Sequence, residues 1–137
     1  MPILNVDGVA FIEQNWLDGG KFMDDRKNMN QVYGACDKSG GGGLDIGVDL
    51  NRNFAVDFGQ VDDILKYQLS EALEKKADKN RSTDPCSTFF PGPKAFSEPE
   101  TQAYKKFLEE RQDEIRFILN VHSNGNAFIY PFNGRRV

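Results

Sequence analysis

Apolar side chains recur along this chain with two different periods, and the switches between them mark out its elements. Within Leu44–Phe54, Ile46, Val48 and Leu50 alternate with polar or small residues, the period of a half-buried strand. Farther on, Val61, Ile64, Leu65, Leu69, Ala72 and Leu73 recur every three or four residues opposite Asp62, Asp63, Lys66, Glu74 and Lys75. That spacing predicts an amphipathic helix stopping near Asp78 to Asn80, followed by a loop over Arg81–Ala95 containing three prolines and one glycine. Ser97-Glu98-Pro99-Glu100 has the form of a capping box with proline in the first turn. It predicts a helix running to about Glu110 and burying Ala103, Phe107 and Leu108. Ile115–Val121 is rich in β-prone residues and predicts a strand with His122 at its end. The turn-forming Ser123-Asn124-Gly125-Asn126 then leads to a second strand over Ala127–Phe132.

The opening residues Pro2–Phe11 read as a short strand entering a turn at Asp7-Gly8. Gly19–Gly43, rich in Gly, Asp, Asn and Lys and ending in four glycines, reads as a long surface loop. Strands and helices that alternate in this way indicate an α/β domain, and no segment repeats.

Composition narrows the partners. The 137 residues, 39% hydrophobic and 28% charged, fit one domain or part of one. With 21 acidic against 17 basic side chains the net charge is −4, and no basic stripe is present to neutralise a run of phosphates, which argues against nucleic acid. The longest apolar stretch, Ile115–Val121, is interrupted by Arg116 and Asn120 and is far shorter than the roughly 20 residues of a membrane span. Asn5 and Asp7 interrupt the opening residues as no signal peptide would be interrupted. Cys36 and Cys86 are far apart and in no metal-type spacing. They are either one disulfide, which needs an oxidising compartment, or two idle thiols.

Three residues invite a chemical reading. His122 is the only histidine and sits at a strand end, where α/β sheets gather ligands and catalytic groups. The plainer alternative is a hydrogen-bonded strand-end side chain, and one imidazole cannot make a zinc site, which takes about three protein ligands. Asn51-Arg52 places a planar guanidinium beside an amide, suited to gripping a carboxylate through two parallel hydrogen bonds; a surface salt bridge is the plainer alternative.

Longer motifs decide between these readings. Gly47-Val48-Asp49-Leu50-Asn51-Arg52-Asn53-Phe54 resembles the signature segment of zinc metallocarboxypeptidases of the pancreatic A/B type. Asn5-Val6-Asp7-Gly8 is similar to that family's Asn-Pro-Asp-Gly turn, and Arg26-Lys27-Asn28 to its Arg-Lys-Asn. Asp84-Pro85-Cys86, Gly92 to Thr101 and Asn120-Val121-His122-Ser123 resemble further family segments in the same order.

The resemblance implies a mixed-sheet α/β fold with flanking helices and long loops, in which residues 1–137 form part of one catalytic domain. It implies that His122 is the third zinc ligand and that Arg26 polarises the scissile carbonyl and stabilises the oxyanion. Asn51 and Arg52 would hold the substrate's terminal carboxylate, Asp49 would orient the first zinc histidine, and Ser123 would line the substrate groove. The implied substrate is a peptide or protein with a free C-terminal carboxylate, the cofactor Zn2+, and the complete protein a secreted, lumenal or vacuolar monomer. A Cys36–Cys86 disulfide is implied as well, although the usual partner position for Cys86 holds Asp45.

Departures from the family pattern bear on activity. The His-x-x-Glu motif that supplies the first two zinc ligands is expected upstream of Met1, and the general-base glutamate beyond Val137. Asn124 stands where the family usually has tyrosine, and the Gly40 to Gly43 run and the helix from Val61 look like insertions. The chain alone is therefore expected to lack peptidase activity. The alternative function is a non-catalytic module that binds C-terminal carboxylates through Arg26, Asn51 and Arg52.

Overall fold

Asn5, not a strand, organises the beginning of the chain. In the computed structural model, which describes residues 3–20, 25–37, 44–56, 58, 83–122 and 128, helix α1 spans Val6–Leu17. The Asn5 side chain accepts a hydrogen bond from the Gly8 backbone N–H at 3.1 Å, satisfying a donor that the first helical turn leaves unpaired. Asp7 lies in that first turn, where the helix dipole favours a negative charge. The Asp7-Gly8 pair thus opens a helix, which corrects the predicted strand and turn.

The segment predicted as a surface loop carries part of the core. Lys27 and Asn28 are completely buried, and a 3-10 turn at Gln31–Tyr33 is capped by the Asn30 side chain, which accepts from Val32 N–H at 3.0 Å. Strand β1, Ala35–Asp37, then pairs antiparallel with β2, Leu44–Ile46, setting Ala35 opposite Ile46, Cys36 opposite Asp45 and Asp37 opposite Leu44. The glycine run between the strands lies outside the described residues.

β2 is shorter than the strand predicted over Leu44–Phe54. Gly47, at a φ of 86°, ends it in a left-handed conformation, and a second 3-10 turn covers Leu50–Arg52. The reason is the neighbour. The Asn28 N–H donates to the Val48 carbonyl at 2.9 Å, and the Val48 N–H donates to Asn28 Oδ1 at 2.8 Å, so an amide side chain takes the place of a ladder strand. The alternation still identified the buried residues, since Ile46, Val48 and Leu50 form the apolar core with Phe90.

Helix α2, Pro99–Glu110, has the predicted length and the predicted proline in its first turn, but its cap and its buried face differ. Ser97 does not cap it: Ser97 Oγ donates to Glu98 Oε1 at 2.7 Å and accepts from Asn53 Nδ2 at 2.8 Å. Thr101 is buried, Tyr104 and Leu108 are half-buried, and Ala103 and Phe107 are exposed. Tyr104 meets Phe54 edge-on at 5.9 Å between ring centroids, and Phe54 meets Phe96 likewise at 5.8 Å.

Beyond α2 the predicted strand at Ile115–Val121 is absent: the Ile115 N–H donates to the Arg111 carbonyl at 3.0 Å, closing the turn after the helix, and residues 116–122 are irregular and exposed, with no ladder partner among the described residues. The predicted helix from Val61 to Asp78 lies outside the described residues, as does the Ala127–Phe132 strand apart from the exposed, irregular Phe128. No helix among the described residues is long and apolar enough to cross a membrane.

What joins these elements is a set of buried polar side chains. Asn53 Nδ2 donates to the carbonyls of Pro91 at 2.8 Å and Lys94 at 3.1 Å and to Ser97 Oγ, while its Oδ1 accepts from Thr101 Oγ1 at 2.6 Å and from the Glu98 N–H at 3.3 Å. Glu98, with 0% exposure, accepts four side-chain hydrogen bonds: from Asn28 Nδ2 at 2.9 Å, Asn30 Nδ2 at 2.7 Å, Tyr33 Oη at 3.2 Å and Ser97 Oγ. Burial alone would raise the Glu98 pKa, but the four donors outweigh it and hold the carboxyl below its usual value.

A carboxylate whose folded pKa is depressed adds stability above its unfolded pKa, about 4.3, and loses it as pH falls through the lower folded value. Urea midpoints measured from pH 7 to pH 3 should therefore fall, and fall less steeply in Glu98→Gln than in the wild type. Parallel curves for the two proteins would remove Glu98 as a source of the acid sensitivity.

Candidate functional site

Arg26 rests on a segment fixed from both sides. Asn5 Nδ2 donates to the carbonyls of Arg26 at 3.5 Å and Lys27 at 3.2 Å, so the residue that caps α1 also holds the main chain beneath Arg26. The next residue, Lys27, points inward, and its Nζ donates to the carbonyls of Pro85 at 2.7 Å and Ser87 at 3.1 Å. A buried ammonium requires such acceptors, and here they tie Arg26 to the 83–90 loop.

Asp49 forms the floor of the site. Its side chain is 2% exposed; Oδ1 accepts the Asn51 N–H at 3.1 Å, capping the Leu50–Arg52 turn, and Oδ2 accepts Arg26 Nε at 2.5 Å. The Arg26 side chain keeps 31% of its surface exposed, so the pair is anchored at the carboxylate and open at the guanidinium. The turn carries Arg52 to the same place, its Nη1 donating to the Asn51 carbonyl at 3.4 Å. Burial lowers the Arg52 pKa from its usual value; the Asp49 charge opposes this, and the Arg26 charge adds to it. Two cations and one anion thus share a small volume.

Phe89 is close to both arginines. The Arg26 guanidinium carbon is 5.3 Å from the Phe89 ring centroid and that of Arg52 is 5.9 Å away, both within cation–π range. The Phe89 N–H donates to Ser87 Oγ at 3.2 Å, and the Phe90 carbonyl accepts the Asp49 N–H at 2.8 Å, so the loop bearing the ring is joined to the segment bearing Asp49. Sequence reading missed Phe89. It is one of 11 phenylalanines and belongs to no charged motif.

Of the residues singled out from the sequence, the structure brings Arg26, Asp49, Asn51 and Arg52 together. Both Asp49 oxygens are engaged within this group, by Arg26 and by the Asn51 backbone. His122 is exposed at the end of the irregular 115–122 stretch, and no hydrogen bond or ion pair among the described residues links it to the arginines. Ser123 lies outside the described residues.

The donor set does not fit a metal by itself. Among the described residues no group of three His, Cys, Asp or Glu side chains is placed to hold one, and His122 supplies a single imidazole where a catalytic zinc site takes three protein ligands. What the arrangement can do chemically is bind an anion: an exposed guanidinium surface, half-neutralised from below, offers a carboxylate paired hydrogen bonds.

Comparison with known proteins agrees in kind. Human carboxypeptidase A6 is 29% identical over 133 residues, covering 97% of this chain and 23% of its own length. Mast cell carboxypeptidase A of Rattus norvegicus is 28% identical over 134 residues, 96% of this chain and 24% of its own. Carboxypeptidase B2 of Bos taurus is 28% identical over 137 residues, 99% of this chain and 25% of its own. The chain thus spans about a quarter of the length of these curated relatives. No solved structure matches it significantly. The zinc carboxypeptidase family model matches residues 1–136, and with that match the chain belongs to the zinc carboxypeptidase family.

Proposed function

We propose that this chain supplies the carboxylate-gripping part of a carboxypeptidase that hydrolyses the C-terminal peptide bond of peptides or proteins. The observation that carries this reading is the convergence of Arg26 and Arg52 on one aromatic ring above the buried Asp49. A cationic, hydrogen-bonding dead end favours a free carboxylate over an internal peptide bond, which confines cleavage to the chain end. In this reading Arg52 and Asn51 hold the terminal carboxylate and Arg26 faces the scissile carbonyl, where a guanidinium stabilises negative charge as it develops. Ser123 lines the groove, and Asp49 fixes the direction of Arg26 besides the family role of orienting a zinc histidine.

Zn2+ is the family's metal, and a bound zinc supplies an activated water and a Lewis acid. His122 is proposed as one of its ligands, with the rest of the set and the general base coming from outside these residues. Residues 1–137 are then part of one α/β catalytic domain with a mixed sheet, in a protein that is monomeric when complete. A Cys36–Cys86 disulfide belongs to the same proposal and suits a secreted or lumenal protein. It is supported by the absence of a free cysteine among the described residues in a chain that has two.

Calorimetric titration tests the central claim. The chain should bind acetyl-Ala-Ala-Leu about ten-fold or more tightly than the same peptide amidated at its C-terminus, because the amide forfeits a charge-assisted pair. Equal affinities would overturn it. No release of C-terminal amino acids is expected from the isolated chain, since a single imidazole does not hold catalytic zinc.

A further inference from the structure

We infer that Phe89 is a positioning residue whose ring face sets the direction of the Arg52 guanidinium and keeps both arginines presented together to a carboxylate. The inference rests on the proposed carboxylate site and names what holds it open. Two guanidiniums close enough to perturb one another repel, and each has a different restraint. Arg26 is tied to Asp49 by a short charge-assisted bond. Among the described residues the Arg52 side chain makes one hydrogen bond, the long contact at 3.4 Å to the adjacent Asn51 carbonyl, and the attraction of the Asp49 charge is non-directional, so neither fixes the direction of a long side chain against that repulsion.

The ring supplies what is missing. Its negative face attracts both cations without consuming any N–H, whereas a second carboxylate in that place would neutralise the charge the ligand needs. The ring is itself held: Ser87 Oγ accepts its backbone N–H, the Asp49 N–H reaches the adjoining Phe90 carbonyl, and Phe90 is buried with 5% exposure. Phe90 in turn packs edge-on to Tyr33 at 5.6 Å between centroids. The guanidinium plane of Arg52 is thereby referred to the core by way of Phe89 and the 83–90 loop.

The test separates the electronic role of the ring from its bulk. A trifluorinated phenylalanine placed at position 89 keeps the shape and withdraws the negative face, and Phe89→Tyr restores it. The affinities of acetyl-Ala-Ala-Leu and its C-terminal amide are measured by calorimetry for the 137-residue wild-type chain and both variants, with a thermal melt of each. The expected result is a loss of about five-fold in carboxylate affinity for the fluorinated protein, with amide binding and melting temperature unchanged, and Tyr within about two-fold of wild type. Wild-type preference for the carboxylate that survives fluorination intact overturns the role of Phe89 and leaves the carboxylate site standing. Equal losses for acid and amide overturn it too, since the ring would then be contact surface only. A wild type without preference overturns the site and, with it, this role.

Discussion

Replacing Asn53 by alanine is expected to lower stability by about 3–5 kcal/mol, read as a fall in the urea midpoint at unchanged slope. The side chain removed is completely buried and donates to two carbonyls and a hydroxyl while accepting from a hydroxyl and a backbone N–H. Truncation leaves those groups without their partner in a space too dry for water to serve all of them, and a stranded buried group costs about 1–3 kcal/mol. Asn53→Asp should be at least as damaging at neutral pH. It puts a carboxylate oxygen where an amide nitrogen now meets the Pro91 and Lys94 carbonyls, so acceptor faces acceptor. An alanine variant within about 1 kcal/mol of wild type would show that the network is ornamental.

The second large effect belongs to Gly47. Its φ of 86° disfavours any side chain, and a Cβ built there would lie 1.7 Å from the Asn28 carbonyl oxygen, a backbone atom with nowhere to go. Gly47→Ala is therefore expected to cost about 3 kcal/mol or more by combining left-handed strain with a forced separation of two zipped segments. Gly34→Ala is the control. Gly34 has nearly the same φ, 88°, but nothing within 4 Å of its Cβ position, so it should show only the conformational part, about 1–2 kcal/mol. Equal losses at the two glycines would mean that the close approach to Asn28 contributes nothing.

The sequence was legible where its signals are local or periodic. Ser97-Glu98-Pro99-Glu100 predicted α2 to within a residue or two, through the local signal of its proline and not through the serine cap, which does not form. Ile46, Val48 and Leu50 disclosed their burial through simple alternation. The same alternation misled about the length of the strand, since Asn28, about twenty positions earlier, supplies the bonds that a ladder would have supplied. Asn53 entered the sequence reading only within a motif and Glu98 only within a helix start; three-dimensional neighbours alone reveal a carboxylate buried among four neutral donors. Asp7-Gly8 carries a turn signal that Asn5 converts into a helix start.

The candidate site was proposed from long motifs alone. Arg26 and Arg52 stand apart along the chain, and no periodicity joins them; the resemblance did. Phe89 escaped both routes. The family's domain is α/β, and the described residues contribute two helices and one antiparallel strand pair to that class.

The make-up of the buried set has a thermal consequence. Among the described residues Ile46, Val48, Leu50 and Phe90 are the buried apolar side chains, beside Lys27, Asn28, Asp49, Asn53, Glu98 and Thr101. Exposing hydrocarbon to water raises the heat capacity, and exposing amides, hydroxyls and charges lowers it. Opening this part of the molecule thus brings opposing increments that offset one another, so its free energy of opening should vary with temperature more nearly along a straight line than along a dome. The grip around Asp49 should accordingly slacken steadily on warming and not loosen again in the cold.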